Sequence, residues 1–366
     1  MLALKDLARC TVVALLTGVA LVGQAASAQE QATHTGHATP VGATPAASPG
    51  APGELPAAVR EPIRLLTKAL GTFSHPISSR RPEVQAYFDQ GFQMMYAFAR
   101  LDAVRSFREA IKRDPDCAIC HWGEAWAWGS YLNEKMPPED APFAYAAAQR
   151  AVALRDKASP SEQAYIDAMA VRYVKDFDPA RRREQDEAYA ESTRKLKETY
   201  PDDLDAATLH ADALFLLEPR QGRRDVEAPA IKRLHGVLEH ILARNAKHPG
   251  ACHLYVHATE STVRPDKAEA CAEFLGTSIP GASHINHMPS HTWNEVGRWG
   301  DSVRANLDAV RSDQKAAVGE GFAIYPDHNL HMLLYAASMD GQGAIATTAG
   351  RDYTKRRPGD TMYQVL

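Results

Sequence analysis

The segment over residues 86–115 constrains the fold most, because small residues, one aromatic residue and a final proline recur in it at helical spacing. These positions are Gly91, Ala103, Phe107, Ala110 and Pro115. Small residues let two antiparallel helices approach closely, the aromatic ring fills the space between them, and proline ends the second helix. The hydrophobic spacing stays helical from about residue 60 onward, and no alternating pattern indicates a strand. An all-α fold built from antiparallel helix pairs is therefore predicted.

Looser copies of this pattern follow at irregular intervals along the chain. One copy lies at Gly297-Arg298-Trp299 with Ser302, Ala305 and Ala309, and others begin near Pro160, Pro201, Pro249 and Pro326. Ser159 and Glu162 form a capping-box pattern around a proline in the first turn, which predicts a helix start there. The repetition predicts a right-handed helical solenoid over residues 59–366, with roughly six to seven antiparallel helix pairs.

This pattern resembles tetratricopeptide repeat (TPR) proteins over nearly the whole chain after its N-terminal segments, and more specifically an exported bacterial family of such proteins. The closer resemblance lies in DPDCAICHWGEAWAWG (114–129), HLYVHATE (253–260), HINHMPSHTWNEVGRW (284–299) and YPDHNLHMLLYAASM (325–339). Members of that family are usually longer, and this chain ends soon after a second helix without a polar capping helix, so we expect it to be truncated. The resemblance implies the fold and the motifs but no established activity.

The N-terminal residues predict export. Two basic residues precede an apolar run over residues 10–22, and the small residues Ala-Ser-Ala end at Ala28. The run is too short to span a bilayer, so residues 1–28 are predicted to be a signal peptide that is cleaved after Ala28, leaving no transmembrane segment. Residues 29–58 are rich in Ala, Pro and Gly and lack periodicity, which predicts a disordered tether. The protein is expected to be periplasmic or secreted.

Composition and motif content exclude several function classes. Lys and Arg number 41 against 45 Asp and Glu, for a formal net charge of −4, so no basic surplus points to a nucleic-acid partner. The chain has no GxSxG nucleophile motif, no phosphate-binding glycine loop and no dinucleotide-binding fingerprint. The remaining hypotheses therefore depend on its histidines and cysteines.

Seven of the 15 histidines lie between residues 253 and 331, at spacings that place them on common helix faces. The candidate metal ligands fall in three groups: His253, His257 and Glu260; His284, His287 and His291; His328 and His331. Each group lies where the first helix of a repeat is expected, and first helices line the concave face of such a solenoid. We predict that three neighbouring helices place these imidazoles in one open groove, where they bind a transition metal such as Cu, Zn or Fe.

Two points about this groove stay open. It would leave room for a substrate, so a metalloenzyme of unknown reaction is one hypothesis, although the HExxH general base is absent. Alternatively, the histidines are structural, and the groove holds a protein or peptide partner, as TPR arrays most often do. Pro289 predicts either a kink between His287 and His291 or a helix that starts later.

The first pair of cysteines allows three interpretations. Cys117, Cys120 and His121 match the CxxCH pattern of c-type haem attachment, with His121 as the axial ligand of an electron-transfer protein. A disulfide between Cys117 and Cys120 is the alternative that an oxidising compartment favours, and free or metal-bound thiols are the third. Cys252 and Cys271, expected on the two helices of one pair, are predicted to form a second disulfide, unless they are simply small buried residues.

Overall fold

The computed structural model describes residues 54–218 and 222–357, and within these ranges the chain is all-helical with no strand, which confirms the predicted all-α class. The predicted signal peptide lies outside the described residues, as does most of the predicted tether. Of the tether, residues 54–58 are described, and there the side chain of Leu55 packs against the hydrophobic core. No helix in the described ranges is long and apolar enough to cross a membrane.

The α-helices, in chain order, are α1 (Ala57–Arg60), α2 (Pro82–Tyr96), α3 (Arg100–Arg113), α4 (Ala118–Trp128), α5 (Ala141–Ala153), α6 (Pro160–Ala170), α7 (Arg182–Thr199), α8 (Leu204–Leu217), α9 (Pro229–Arg244), α10 (Pro249–Glu260), α11 (Glu269–Ser278), α12 (Ser283–His287), α13 (Pro289–Glu295), α14 (Trp299–Ala317), α15 (Pro326–Met339) and α16 (Gly343–Arg356). Short 3-10 turns lie at Pro138–Asp140, Arg155–Lys157, Pro179–Arg181 and Pro265–Ala268.

Helices that are consecutive in the chain pack against each other, and close approach at small residues is what holds them together. Phe107 on α3 is wedged between α2 and α4. A Cβ on Gly91 would lie 2.8 Å from the Phe107 ring, and a Cβ on Gly123 would lie 2.5 Å from it. A side chain at either position would therefore force the Phe107 ring or a helix to move. The pairing of Gly91 with Phe107 follows the sequence pattern, whereas the contact from Gly123 on α4 was not predicted.

The predicted capping box is present at the start of α6. The Oγ of Ser159 accepts a hydrogen bond from the backbone N–H of Glu162 at 3.4 Å, and the Glu162 carboxylate accepts one from the backbone N–H of Ser159 at 2.7 Å. Two backbone donors that the first turn would leave unpaired are thus satisfied by two side chains. This helix start was read correctly from the sequence.

A break separates the helices that carry His287 and His291. The first of them, α12, ends at His287, and α13 begins at Pro289, with Met288 between. Proline has no N–H to donate and its ring disfavours a continuous helix, so the segment continues as two short helices. His287 and His291 nevertheless remain neighbours across this break.

Two disulfides are present among the described residues. Cys117 is joined to Cys120 across the first turn of α4, with their Cα atoms 5.3 Å apart. Cys252 on α10 is joined to Cys271 on α11, with their Cα atoms 4.9 Å apart. The second bond links the helix that begins the histidine motifs to its neighbour in the chain.

Candidate metal centre

The structure brings histidines from three of the predicted segments into two adjacent groups. The first group consists of His253, His257 and His284, and the second group consists of His287, His291 and His328. Within each group, one ring nitrogen from each residue lies within 4.8 Å of those of the other two. The side chains are at most 9% exposed. They do not line an open groove, as the sequence analysis expected, but are buried among packed helices and aromatic rings.

A close helix contact positions the first group. The helix α10, which carries His253 and His257, approaches α2 at Gly250, where a Cβ would lie only 2.4 Å from the ring of Tyr96. The absence of a side chain at Gly250 therefore lets the backbone of α2 reach the histidines. The carbonyl oxygen of Tyr96 accepts a hydrogen bond from Nδ1 of His253 at 2.6 Å. His284 comes from α12 and completes the group.

In the first group, His253 and His257 each form a hydrogen bond through Nδ1, whereas the nitrogens that face the centre of the group have no partner. Nδ1 of His257 donates to Oε1 of Glu260 at 2.8 Å, as Nδ1 of His253 does to the Tyr96 carbonyl. Nε2 of His253, Nε2 of His257 and both ring nitrogens of His284 are buried and have no hydrogen-bond partner. Histidines that bind a metal through one nitrogen commonly donate the other N–H to a carboxylate or a carbonyl. His253 and His257 fit that arrangement, whereas His284 has no such supporting bond.

Burial keeps the first group neutral. Burial is the main cause that lowers the pKa of His253 and of His284 well below the usual value, and repulsion between neighbouring imidazoles lowers both further. Burial also lowers the pKa of His257, although Glu260 opposes that shift. Since a metal ligand must be the neutral imidazole, the three side chains are in the protonation state that coordination requires.

The second group is arranged differently. Nδ1 of His287 lies 2.7 Å from Oδ1 of Asn306, and Nδ1 of His291 lies 2.5 Å from Oε2 of Glu260. Nε2 of His287 and Nε2 of His291 lie 2.8 Å from each other. The ring of His328, which comes from α15, has its centroid 4.7 Å from that of His287.

Glu260 connects the two groups rather than joining either as a ligand. One carboxylate oxygen accepts from His257 of the first group and the other from His291 of the second group. Burial alone would raise the pKa of Glu260, but His291 and His257 together lower it well below the usual value. Glu260 was predicted to be a metal ligand, and in the structure it lies behind His257 and His291.

Three aromatic residues that lie far apart in the chain cover the first group. The ring centroid of Phe98 lies 4.1 Å from that of His253, and the centroid of Tyr325 lies 4.9 Å from that of His284. Tyr131 joins the two, packing on Phe98 and forming a short hydroxyl–hydroxyl hydrogen bond with Tyr325. Among the described residues, Phe98 and Tyr325 are the non-glycine residues with a positive φ, at 61° and 53°. Such backbone conformations are unfavourable for bulky side chains.

Most of this cover was not predicted from the sequence. Tyr325 does carry a signal of a restricted backbone, because it directly precedes Pro326 and proline disfavours the α region in the preceding residue. Phe98 carries no such signal. Tyr96 and Asn306 were also not predicted, because each contacts a histidine through a pairing of helices that the sequence does not specify.

The other predicted site residues lie elsewhere. His331 belongs to neither group, and its ring centroid lies 6.1 Å from that of Tyr353. Nε2 of His121 lies 3.2 Å from the carbonyl oxygen of Pro115. Because Cys117 and Cys120 are bonded to each other, neither sulfur is available in this form for a thioether bond to haem. The haem interpretation stays a prediction that this arrangement does not favour.

Comparisons with known proteins identify no family for this chain. Neither a scan against protein families nor a search of curated proteins finds a match for the chain. The resemblance to TPR proteins therefore stays a prediction, and the function must be argued from the geometry of the residues.

Proposed function

We propose that this protein binds a transition metal ion through the first group, His253, His257 and His284. One observation carries the proposal: three buried, neutral imidazoles converge with ring nitrogens that have no hydrogen-bond partner. An unsatisfied polar atom in a protein interior costs about 1–3 kcal/mol. Four such atoms at one place are hard to explain by packing alone, whereas a metal ion would satisfy three of them at once.

The dimensions suit a single ion after a small movement. Zn–N bonds are about 2.0–2.1 Å long, so two nitrogens of a tetrahedral site lie about 3.3 Å apart. The nitrogens of the first group lie within 4.8 Å of one another, and rotation of the rings can close that difference. The neighbouring bonds from Tyr96 and Glu260 would orient His253 and His257 during this movement.

The donor set limits the choice of metal. Imidazole nitrogens suit Zn, Cu, Fe and Ni, whereas Ca and Mg prefer oxygen ligands. Among these metals, Cu, Zn and Fe are the candidates that we propose. Three protein ligands also leave a fourth position for water or a substrate, which is typical of catalytic rather than structural zinc sites. A metalloenzyme is consistent with this arrangement, and its reaction is not specified by the residues.

The wider setting is proposed on the sequence evidence. The helix pairs would form a TPR-like right-handed solenoid of roughly six to seven pairs, with the metal centre in its C-terminal half. The export signal would place the protein in the periplasm or outside the cell, where transition metals reach it from the surroundings. A protein or peptide partner in the concave groove is the competing proposal.

Metal analysis of the purified protein tests the proposal. After dialysis against Zn²⁺ or Cu²⁺ and removal of loose metal, the wild-type protein should retain stoichiometric metal. The substitution His257→Ala should remove the ion of the first group. His240→Ala is the matched control, because His240 is an exposed histidine on the neighbouring helix α9 and should leave the metal content unchanged. If the wild-type protein retains no stoichiometric metal, the first group is not a metal site, and the proposal of a protein or peptide partner replaces it.

A further inference from the structure

We infer that the second group, His287, His291 and His328, is a second metal position, and that both groups form one two-metal centre that accepts a small oxygen-donor ligand. This inference rests on the proposed function, because it extends the same site. It adds a second ion, a relation between the two ions and a class of ligand.

The contact between His287 and His291 indicates a cation in the second group. Nδ1 of His291 lies 2.5 Å from a carboxylate oxygen of Glu260, so this nitrogen carries the proton. The Asn306 amide nitrogen donates to the carbonyl of Ser302 at 2.9 Å, which turns its Oδ1 toward Nδ1 of His287. That nitrogen is therefore a donor as well, and the Oγ of Ser290 contacts it at the longer distance of 3.3 Å.

With both Nδ1 atoms protonated, the two Nε2 atoms face each other at 2.8 Å with lone pairs. Two lone pairs repel at that distance unless a positive charge lies between them. A metal ion can take that place when the nitrogens separate to about 3.3 Å, the spacing that bonds of about 2.0–2.1 Å give. The ring of His328, 4.7 Å from that of His287, supplies the third imidazole.

The two groups are close enough to act together. The ring centroids of His257 and His291 lie 5.4 Å apart, and those of His284 and His287 lie 5.6 Å apart. One carboxylate, Glu260, holds a histidine of each group. Two-metal sites in enzymes have ions about 3.5–4 Å apart and can share a ligand between them. Groups that share a supporting carboxylate and adjacent rings are placed for such sharing.

The surroundings restrict the ligand to a small molecule. Phe98 and Tyr325 cover the first group with their rings, and His328 at the edge of the second group is 9% exposed. Beside the first group lies a cavity of about 20 Å³, lined in part by Phe98, Tyr131 and His253. A cavity of this size holds about one water molecule. Water or hydroxide fits this space, and a peptide does not.

Copper loading tests the two-metal centre. The wild-type protein, treated with Cu²⁺ and freed of loose metal, should retain two ions per chain. His287→Gln should retain one ion, and so should His328→Asn, a milder change near the surface that guards against misfolding of the first variant. Electron paramagnetic resonance should detect less signal than two isolated Cu²⁺ ions give, because neighbouring ions that share a ligand couple magnetically. Azide, an anion of three atoms, should produce no new absorption band in the wild-type protein, because the space beside the first group holds about one water molecule, and a new band would show that the site admits larger ligands.

The outcomes separate this inference from the proposed function. One ion in the wild-type protein, removed by His257→Ala and unaffected by His287→Gln, would overturn the two-metal centre and leave the proposed function intact. Two ions with the full signal of isolated Cu²⁺ would also overturn it, since the ions would then be independent. No retained ion in the wild-type protein would remove both proposals.

Discussion

Replacing His284 by leucine should stabilise the metal-free protein and abolish the metal site of the first group. His284 is 1% exposed, and neither of its ring nitrogens has a hydrogen-bond partner. In the absence of a metal, this imidazole has lost its hydration and gained no hydrogen bond in return. Leucine fills a similar space without polar atoms. The stability of the folded chain and the binding of metal are thus expected to change in opposite directions.

The expected size follows from three contributions. Two unsatisfied nitrogens cost about 1–3 kcal/mol each, so their removal gains about 4 kcal/mol. The loss of the ring contact with Tyr325, whose centroid lies 4.9 Å away, costs about 1 kcal/mol. The imperfect fit of a branched side chain costs about 2 kcal/mol. His284→Leu should therefore raise the free energy of unfolding by about 1 kcal/mol.

Denaturant unfolding in the presence of a chelator measures this difference. His235→Leu is the matched control, because His235 is also buried but its Nε2 bonds to the carbonyl oxygen of Ala258 at 2.9 Å. Leucine there leaves that carbonyl unpaired, and the free energy of unfolding should fall by about 1–3 kcal/mol. If His284→Leu destabilises the metal-free protein as much as His235→Leu does, the nitrogens of His284 have partners, and the argument for the metal site loses its main support.

Three further predictions concern His210, Gly250 and the Cys252–Cys271 disulfide. Burial, and then the charge of Lys197, lowers the pKa of His210 to about 4. As the pH falls from about 6.5 toward 4, His210 becomes protonated in the unfolded chain before it does in the folded one, so the free energy of unfolding should fall by about 1.4 kcal/mol per pH unit. Denaturant unfolding of His210→Gln should show a weaker dependence of this free energy on pH. Gly250→Ala should push α10 from α2 and weaken metal binding at least tenfold in a titration, whereas equal affinity would show that this approach does not position the site. The Cys252–Cys271 bond closes a short loop with a sequence separation of 19. Its reduction should lower the free energy of unfolding by about 3 kcal/mol. An unchanged unfolding curve for the reduced and alkylated protein would contradict this.

The helical class and several local contacts could be predicted because they depend on short-range spacing. The capping box at Ser159 needs only two residues three positions apart, and the helix pairing at Phe107 needs only small residues at helical intervals. The grouping of His253 with His257 has the same origin, since residues four positions apart share a helix face. Each of these features is determined within one or two turns of helix.

The composition of the two groups could not be predicted, because it depends on which nitrogen of each ring points to which neighbour. Spacing placed Glu260 on the same helix face as His257, which is correct, but it could not show that the carboxylate faces Nδ1 of that ring and also Nδ1 of His291. Spacing likewise grouped His331 with His328, although only His328 joins the second group. Ring orientation is set by packing between helices that are distant in the sequence, and a single sequence does not contain that information.

The two strained aromatic residues provide the last link between fold and site. A positive φ at a residue other than glycine costs of order 1–3 kcal/mol and persists only where the surrounding structure holds it. In the described part of the chain, Phe98 and Tyr325 are the non-glycine residues in this state, and each packs its ring on the first group. If the histidines served only to join helices, less strained aromatic residues would pack as well against them. Strain at both covering residues is instead typical of a site whose enclosure matters more than the local stability of the backbone.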